Sequence, residues 1–423
     1  MTPAPARPLS LAAYRFVAGL AAPFARSLLQ ARARQGKEDA ARLDERLGHA
    51  SAPRPAGPLV WLHAISVGES VSLLPLIGAL AAERPDLTIL VTSGTRASAR
   101  VLAQRLPAGA IHQYAPVDTP GAVQRFLEHW RPDVGLFAES ELWPNLILAA
   151  RARGVRLALI SARMTERSAR AWRARPAAVG AMLAAFELIL PQDEATAGRL
   201  ASFGGAISGR LNLKRLGAPL DHDPVELTRL RGLIGARPVV VAVSTHAPEE
   251  ALVVGAAAAL SPRPLVILVP RHPERGGEIA HQFAGPIAQR SLKQDIGPDT
   301  EIYLADTLGE VGLFLRLAPF AVVGGGFAPE VGGHNPLEPA QLGVGVITGP
   351  DVANHGDIYA EMFAVGAALT AHDEAGLTAL LASLMADAGR RDALAAAAGA
   401  YAETQRGQLN AALGLIRPLL PAL

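Results

Sequence analysis

The strongest constraint on the fold is a rhythm that runs twice along the chain. Short, continuously apolar runs at residues 59–65, 87–92, 134–137, 157–160 and 188–190 alternate with Ala/Arg/Leu-rich stretches of helical period, such as 71–83 and 97–106. Strands apolar along their whole length are buried on both faces, and helical crossovers between them make the sheet parallel. The pattern pauses at residues 212–224, where Gly217, Pro219 and Pro224 fall together. It then restarts with runs at 239–243, 265–269, 319–323 and 344–348. At 423 residues the chain also exceeds what one ordinary core serves. An α/β protein of two doubly wound, Rossmann-like domains is expected. Residues 1–50 are expected to form an N-terminal anchor and basic helix, 51–215 a first domain and 216–423 a second, whose last helix can pack back on the first. Ligand loops in such sheets leave the C-terminal strand ends, so the two domains are expected to face a central cleft.

Composition narrows the function. Half of the residues are apolar and 18% are charged, which suits a large core rather than a disordered chain. The formal net charge is +2, yet residues 1–54 hold nine Lys/Arg against four Asp/Glu, so the remainder is slightly acidic. That balance argues against a nucleic-acid partner. The absence of cysteine excludes disulfides, a thiol nucleophile and cysteine metal ligands, and is compatible with a reducing compartment. Residues 9–31 are apolar but broken by Arg15, Pro23 and Arg26, with Arg32, Arg34 and Lys37 following. They lack the basic start of a signal peptide and are marginal against the roughly 20 apolar residues of a spanning helix. A basic flank behind an apolar stretch suits an anchor in an anionic bilayer surface. The other reading is an amphipathic helix packed on the first domain.

Residues 324–340 read GGGFAPEVGGHNPLEPA and follow an apolar run. Asn335 can cap a helix, Pro336 suits its first position, and Glu338 stands where a capping-box carboxylate reaches back. A Gly-rich strand-to-helix turn exposes backbone N–H groups at the positive end of a helix dipole. A phosphate-bearing ligand is expected there; a well-capped helix after a tight turn is the plainer alternative.

Other strand ends carry polar groups. Ser66, Gly68 and Glu69 follow the first run; Ser66-x-x-Glu69 is itself a capping box, while a carboxylate at a strand's C-terminal end can take a proton from an attacking hydroxyl. Glu139 and Glu141 follow the third run beside Trp143-Pro144, reading as a polar pocket with the Trp packed underneath, or as the carboxylate pair of a retaining glycosidase. Arg163 and Arg167 can share a helix face and meet an anionic substrate, or one can pair with Glu166. Lys214 lies at the domain junction. Ser244, Thr245 and His246 end one run of the second half, Pro270 and Arg271 another. Residues 306–310 (DTLGE) offer backbone N–H groups for a further phosphate or a base. The Walker A and dinucleotide fingerprints are absent, as are histidine or carboxylate metal motifs, so no metal and no cofactor is expected.

In order and spacing, HAISVGES (63–70), ESELWPN (139–145), SARMTERS (161–168), LNLK (211–214), STH (244–246), PRHPER (270–275), DTLGE (306–310) and GGHNPLEP (332–339) resemble the bacterial 3-deoxy-D-manno-octulosonic acid (Kdo) transferases of lipid A assembly. The resemblance implies a GT-B fold, an acceptor domain followed by a nucleotide-sugar domain, and inverting transfer of Kdo from CMP-Kdo to the primary hydroxyl of the lipid A precursor, lipid IVA. It implies Glu69 as catalytic base, with Glu141 in the active site. CMP is implied to meet Pro270, Arg271, Leu308, Gly309, Glu310, Asn335, Pro336, Leu337 and Glu338. Ser66, Gly68, Arg163, Lys214, Ser244, Thr245 and His246 are further candidates for holding the Kdo carboxylate or the acceptor. An enzyme of this family is expected on the cytoplasmic side of the inner membrane, in contact with its lipid. Two departures are local: Phe327 stands where the family commonly has Ser, and Ala247-Pro248 follows STH in place of the usual residues. The competing readings are a GT-B-like epimerase or another nucleotide-sugar enzyme with a soluble substrate, and a non-enzymatic, membrane-peripheral module that binds an acidic lipid.

Overall fold

The computed structural model describes residues 8–217 and 219–422. The chain forms two compact units, one of residues up to Leu216 together with Gly407–Leu423, the other Gly217–Arg406.

In the first unit six parallel strands, β1 (Leu59–His63), β2 (Thr88–Ser93), β3 (Ile111–Tyr114), β4 (Val134–Ala138), β5 (Arg156–Ala162) and β6 (Phe186–Pro191), pair in the order β3-β2-β1-β4-β5-β6. The chain starts at the centre, steps outward to β3 and returns to β4 on the other side of β1. The switch point therefore lies between β1 and β4, which pair through His63 and Phe137. Ligand sites of doubly wound sheets sit at that reversal, because neighbouring loops there part to opposite faces. All five residues of β1 are buried. Val60 and Leu62 pack with Leu73, Leu76 and Ile77 on one face, while Trp61 joins Phe126, Trp130 and Phe137 on the other. Truncating an aromatic such as Trp61 in this setting costs about 3–5 kcal/mol.

In the second unit β7 (Val239–Thr245), β8 (Leu265–Pro270), β9 (Ile287–Gln289), β10 (Ile302–Leu304), β11 (Phe320–Val323), β12 (Gly345–Thr348) and β13 (Ala368–Thr370) pair in the order β13-β12-β11-β7-β8-β10-β9. All pairings are parallel. The reversal here falls between β7 and β11. Every apolar run read from the sequence is a strand, within two residues at either end. The strands missed, β3, β9, β10 and β13, are three or four residues long. They are too short for a composition signal, and three of them lie at sheet edges.

The N-terminal apolar stretch forms α1 (Leu9–Arg34), which runs through Pro23 without a break. It packs on the first unit through the buried Leu11 and Leu29, and Tyr14 donates its hydroxyl to Asp118 at 3.0 Å. Its other side leaves Leu9, Phe16, Val17, Leu20, Phe24 and Leu28 exposed. Among the described residues no helix is long and apolar enough to cross a membrane.

Candidate functional site

Glu69 enters its position through local chemistry. Ser66 caps the helix Val67–Glu83, its hydroxyl accepting the Glu69 N–H, and the Glu69 carboxylate returns to the cap. Its Oε2 accepts the Ile65 N–H at 2.7 Å and the Ser66 N–H at 3.3 Å. The capping box and the functional placement thus coexist. One oxygen is fixed by the backbone, and Oε1 keeps no protein partner among the described residues. At Gly68 a Cβ would meet no atom within 4 Å, so protein packing does not require glycine there.

The loop after β4 brings in three more groups. Glu139, 5% exposed, adopts a left-handed backbone (φ 54°) at the strand exit, a conformation uncommon for a non-glycine residue. Its Oε1 pairs with Lys214 Nζ at 2.8 Å. Glu141 accepts the Trp143 indole N–H at 2.5 Å. Burial pushes the Glu141 carboxyl up to about 7, Glu69 and Glu139 add to the rise, and the indole hydrogen bond opposes it. Trp143 does not pack underneath, as the sequence suggests; at 38% exposed it stands on the surface, with its N–H spent on Glu141.

Arg163 is exposed and outside the helix Glu166–Trp172, so it shares no helix face with Arg167. Glu166 pairs instead with Arg173 and Arg199. Arg163 therefore remains a cation without a side-chain partner among the described residues, whereas Lys214 is committed to Glu139.

In the second unit the expected anion cradle is already filled. Glu249, 1% exposed, accepts the N–H groups of His246, Gly325 and Phe327 at 2.9, 2.8 and 2.9 Å. The Gly324, Gly333 and His334 N–H groups donate to backbone carbonyls. The glycines serve close packing: a Cβ at Gly326 would lie 2.6 Å from the Gly349 nitrogen, and Gly325 holds a φ of 82°. The helix that follows is also shorter than its cap signals imply. It is one turn, Leu337–Ala340, with Pro336 at the cap position. The Asn335 Oδ1 accepts the Leu337 N–H at 3.1 Å, and Glu338 meets the Asn335 amide at 3.5 Å rather than reaching back to the backbone. A single turn carries little dipole, so an anion here depends on side chains.

Those side chains line a pocket of about 430 Å³ that gathers Ser244, Arg271, Gly309, His334, Asn335 and Glu338. Arg271 is exposed, its backbone N–H tied to Thr245 and its guanidinium without a side-chain partner among the described residues. Glu338 is pushed up by burial, with the Asn335 hydrogen bond and Arg271 opposing. His334 Nε2 stands 2.8 Å from His246 Nε2 with the rings 8° from parallel. One nitrogen must donate and the other accept. Burial and the neighbouring His246, Arg271 and His355 hold His334 down at about 4.

Other expected contacts lie elsewhere. The Thr245 side chain is fully buried and donates to Glu250, away from this pocket. Pro270 and Leu337 are buried, and Leu308 is 85% exposed on the turn. Pro336 does not line the pocket. The Glu310 carboxylate is bound by both Arg290 Nη2 (2.6 Å) and Nε (3.1 Å), which lowers its pKa and shapes the 306–310 turn.

Sequence reasoning missed Glu249, Arg290 and the role of Glu139. Glu249 had a usable signal: a carboxylate three residues past the polar end of a strand, in a position to accept backbone N–H groups. Ser161 and Ser244 share another feature, a positive φ (48° and 56°) at a register shift near the end of β5 and of β7. Bulges of this kind re-aim chain ends beside ligand sites. Among the described residues no group of three or more His, Asp or Glu is arranged to hold a metal ion.

Residues 41–215 match the family described as 3-deoxy-D-manno-octulosonic-acid transferase (kdotransferase). The 3-deoxy-D-manno-octulosonic acid transferase of Bordetella pertussis is 35% identical over 390 residues, which cover 88% of this chain and 90% of that protein. The probable mitochondrial 3-deoxy-D-manno-octulosonic acid transferase of Arabidopsis thaliana is 37% identical over 342 residues, 76% of this chain and 75% of that one. A glycosyltransferase structure from Rickettsia africae superposes with a TM-score of 0.54 at 12% identity, covering 86% of this chain and 99% of that chain, a likeness of fold alone. Two parallel α/β sheets of the GT-B type, polar groups gathered at both switch points and relatedness along most of the length together place this chain in the 3-deoxy-D-manno-octulosonic acid transferase family of glycosyltransferases.

Proposed function

We propose that the protein transfers Kdo from CMP-Kdo to the primary hydroxyl of lipid IVA, with inversion at the anomeric carbon, on the cytoplasmic side of the inner membrane. The observation that carries this reading is the asymmetric carboxylate of Glu69 at the switch point of the first sheet. Oε2 is anchored by two N–H groups and Oε1 is available to take a proton. As the acceptor oxygen attacks the anomeric carbon, its proton passes to Oε1 and the bond from that carbon to the phosphate oxygen breaks. The electron pair leaves on CMP, and a single displacement of this kind inverts configuration. The pocket of Arg271, Asn335 and Glu338 supplies the other requirement: a cation for the phosphate, with amide and carboxyl groups for ribose hydroxyls.

The donor's own carboxylate calls for a second cation; Arg163 has no side-chain partner among the described residues, whereas Lys214 is paired with Glu139. Burial holds the Glu141 carboxyl up at about 7, so beside Glu69 and Glu139 it is largely protonated below that pH. In this reading Arg271 and the pocket donors meet the charge on the departing phosphate and no metal ion is required. The exposed apolar row of α1 would rest on the bilayer that holds the acceptor. Incubation with CMP-Kdo and lipid IVA followed by mass spectrometry tests the proposal and counts the sugars added. A lipid whose mass is unchanged would overturn it.

A further inference from the structure

The first unit holds an apolar slot of about 610 Å³ beside α1, walled by Leu11, Val17, Leu142, Trp143, Trp172 and Ala178. We propose that this slot receives one fatty acyl chain of the acceptor; the inference rests on the acceptor reading above. Its volume falls in the range of about 300–1,000 Å³ typical of small-ligand clefts. Its lining is almost wholly hydrocarbon and indole. Tyr14, which also lines it, has its hydroxyl bonded to Asp118, and so offers the slot its ring.

Three observations identify the occupant. Trp143 walls the slot while its indole N–H donates to Glu141, so one side chain belongs both to the slot and to the carboxylate cluster containing Glu69. A molecule reaching from one to the other must be polar at one end and apolar at the other. Secondly, Val17 continues the slot onto the exposed row Phe16, Leu20, Phe24 and Leu28, spaced four residues apart along one side of α1. An apolar path therefore leads from the helix surface inward. Thirdly, Arg175 lines the slot, is exposed and has no side-chain partner among the described residues, placing a cation where an acidic lipid headgroup would lie. A flat bilayer surface can cover the convex row, but only a single chain fits the concave slot.

The test uses the full chain in mixed micelles with CMP-Kdo. Val17 is 62% exposed, so Val17→Trp can narrow the slot without disturbing the core. That variant should raise KM for the acylated acceptor about tenfold, the scale of losing a few buried methylenes, with CMP affinity intact. An acceptor carrying a diazirine at a chain end should crosslink to peptides containing Val17 or Trp172 in the wild type, and far less in the variant. An unchanged KM, or crosslinks that land elsewhere, overturns the slot. So does equal labelling by a diazirine phosphatidylcholine that excess acceptor does not displace, because the slot would then hold bilayer lipid. A wild type that binds CMP yet gives no product with the acylated acceptor overturns the acceptor reading, and the slot with it. Product formation without slot labelling overturns the slot alone.

Discussion

The Glu249 carboxylate holds the Gly325 backbone N–H at 2.8 Å, so the loop after β11 is shaped by an internal anion. It also holds the N–H groups of His246 and Phe327, and with them the exits of β7 and β11 on either side of the second switch point. Glu249→Ala would leave three inward N–H groups without an acceptor, a loss of at least about 3 kcal/mol. Urea unfolding should show that drop, and CMP affinity should fall with it because His334 and Asn335 lie on the same loop. An undiminished unfolding midpoint would remove Glu249 from this role.

Glu69→Gln separates the proposed base role from the cap. The glutamine oxygen can still accept the Ile65 and Ser66 N–H groups, so the helix start survives. Transfer should fall about 10²- to 10⁴-fold, the usual contribution of a positioned general base, while CMP binds as before. Wild-type turnover by this variant would exclude Glu69 as the base.

Arg271→Ala removes a guanidinium that lines the second-unit pocket and has no side-chain partner among the described residues. Charge-assisted hydrogen bonds to a phosphate are worth about 1.5–3 kcal/mol, so the Kd for CMP should rise roughly ten- to hundredfold. Calorimetric titration measures it directly, and an unaltered Kd would place the nucleotide phosphate elsewhere.

How much of this was legible beforehand depends on whether the signal was local. The strands at 59–65 and 239–243 announced themselves because a run buried on both faces is apolar without interruption. The capping box at Ser66 and Glu69 was legible for the same reason, since all its partners lie within five residues. What could not be read was competition for the same donors. The Gly-rich turn advertised free N–H groups, but Glu249 lies about 76 residues earlier in the chain, and only the pairing of β11 with β7 brings them together. Lys214 and Glu139 are likewise joined by the fold, which turned a cation expected for substrate into an internal ion pair. The sequence points Trp143 inward because a large aromatic is usually buried, whereas this one spends its N–H on a carboxylate.

Glu141 gives a pH-dependent test. Its folded value, about 7, lies above the ordinary 4.5. The folded state therefore binds its proton more tightly than the unfolded chain. The resulting stability is fully present below about 4.5 and is lost as pH rises through about 7. Glu141→Gln has no proton to lose. Thermal unfolding of the two proteins should run together near pH 4.5 and diverge towards pH 8, with the variant the more stable at the upper end. A constant difference across that range would mean that Glu141 ionises as an ordinary carboxylate.

The exposed row of α1 is the surface on which the proposed bilayer contact can be tested. Deleting residues 1–31 would be an ambiguous test, because it also strips Leu11 and Leu29 from the first unit's packing. Phe16→Asp, Leu20→Asp and Phe24→Asp together avoid that problem, as all three side chains are more than 60% exposed. Burying each such side chain in the bilayer interface is worth about 1.5–3 kcal/mol, so the triple variant should lose about a thousandfold or more in vesicle partitioning. Its unfolding midpoint should stay near that of the wild type, since none of the three supports the core. Anionic vesicles should bind the wild type better than neutral ones, because the exposed Arg34 closes the helix while Arg32 is paired with Glu38. Partitioning that the three aspartates leave unchanged would show that the row does not carry membrane contact.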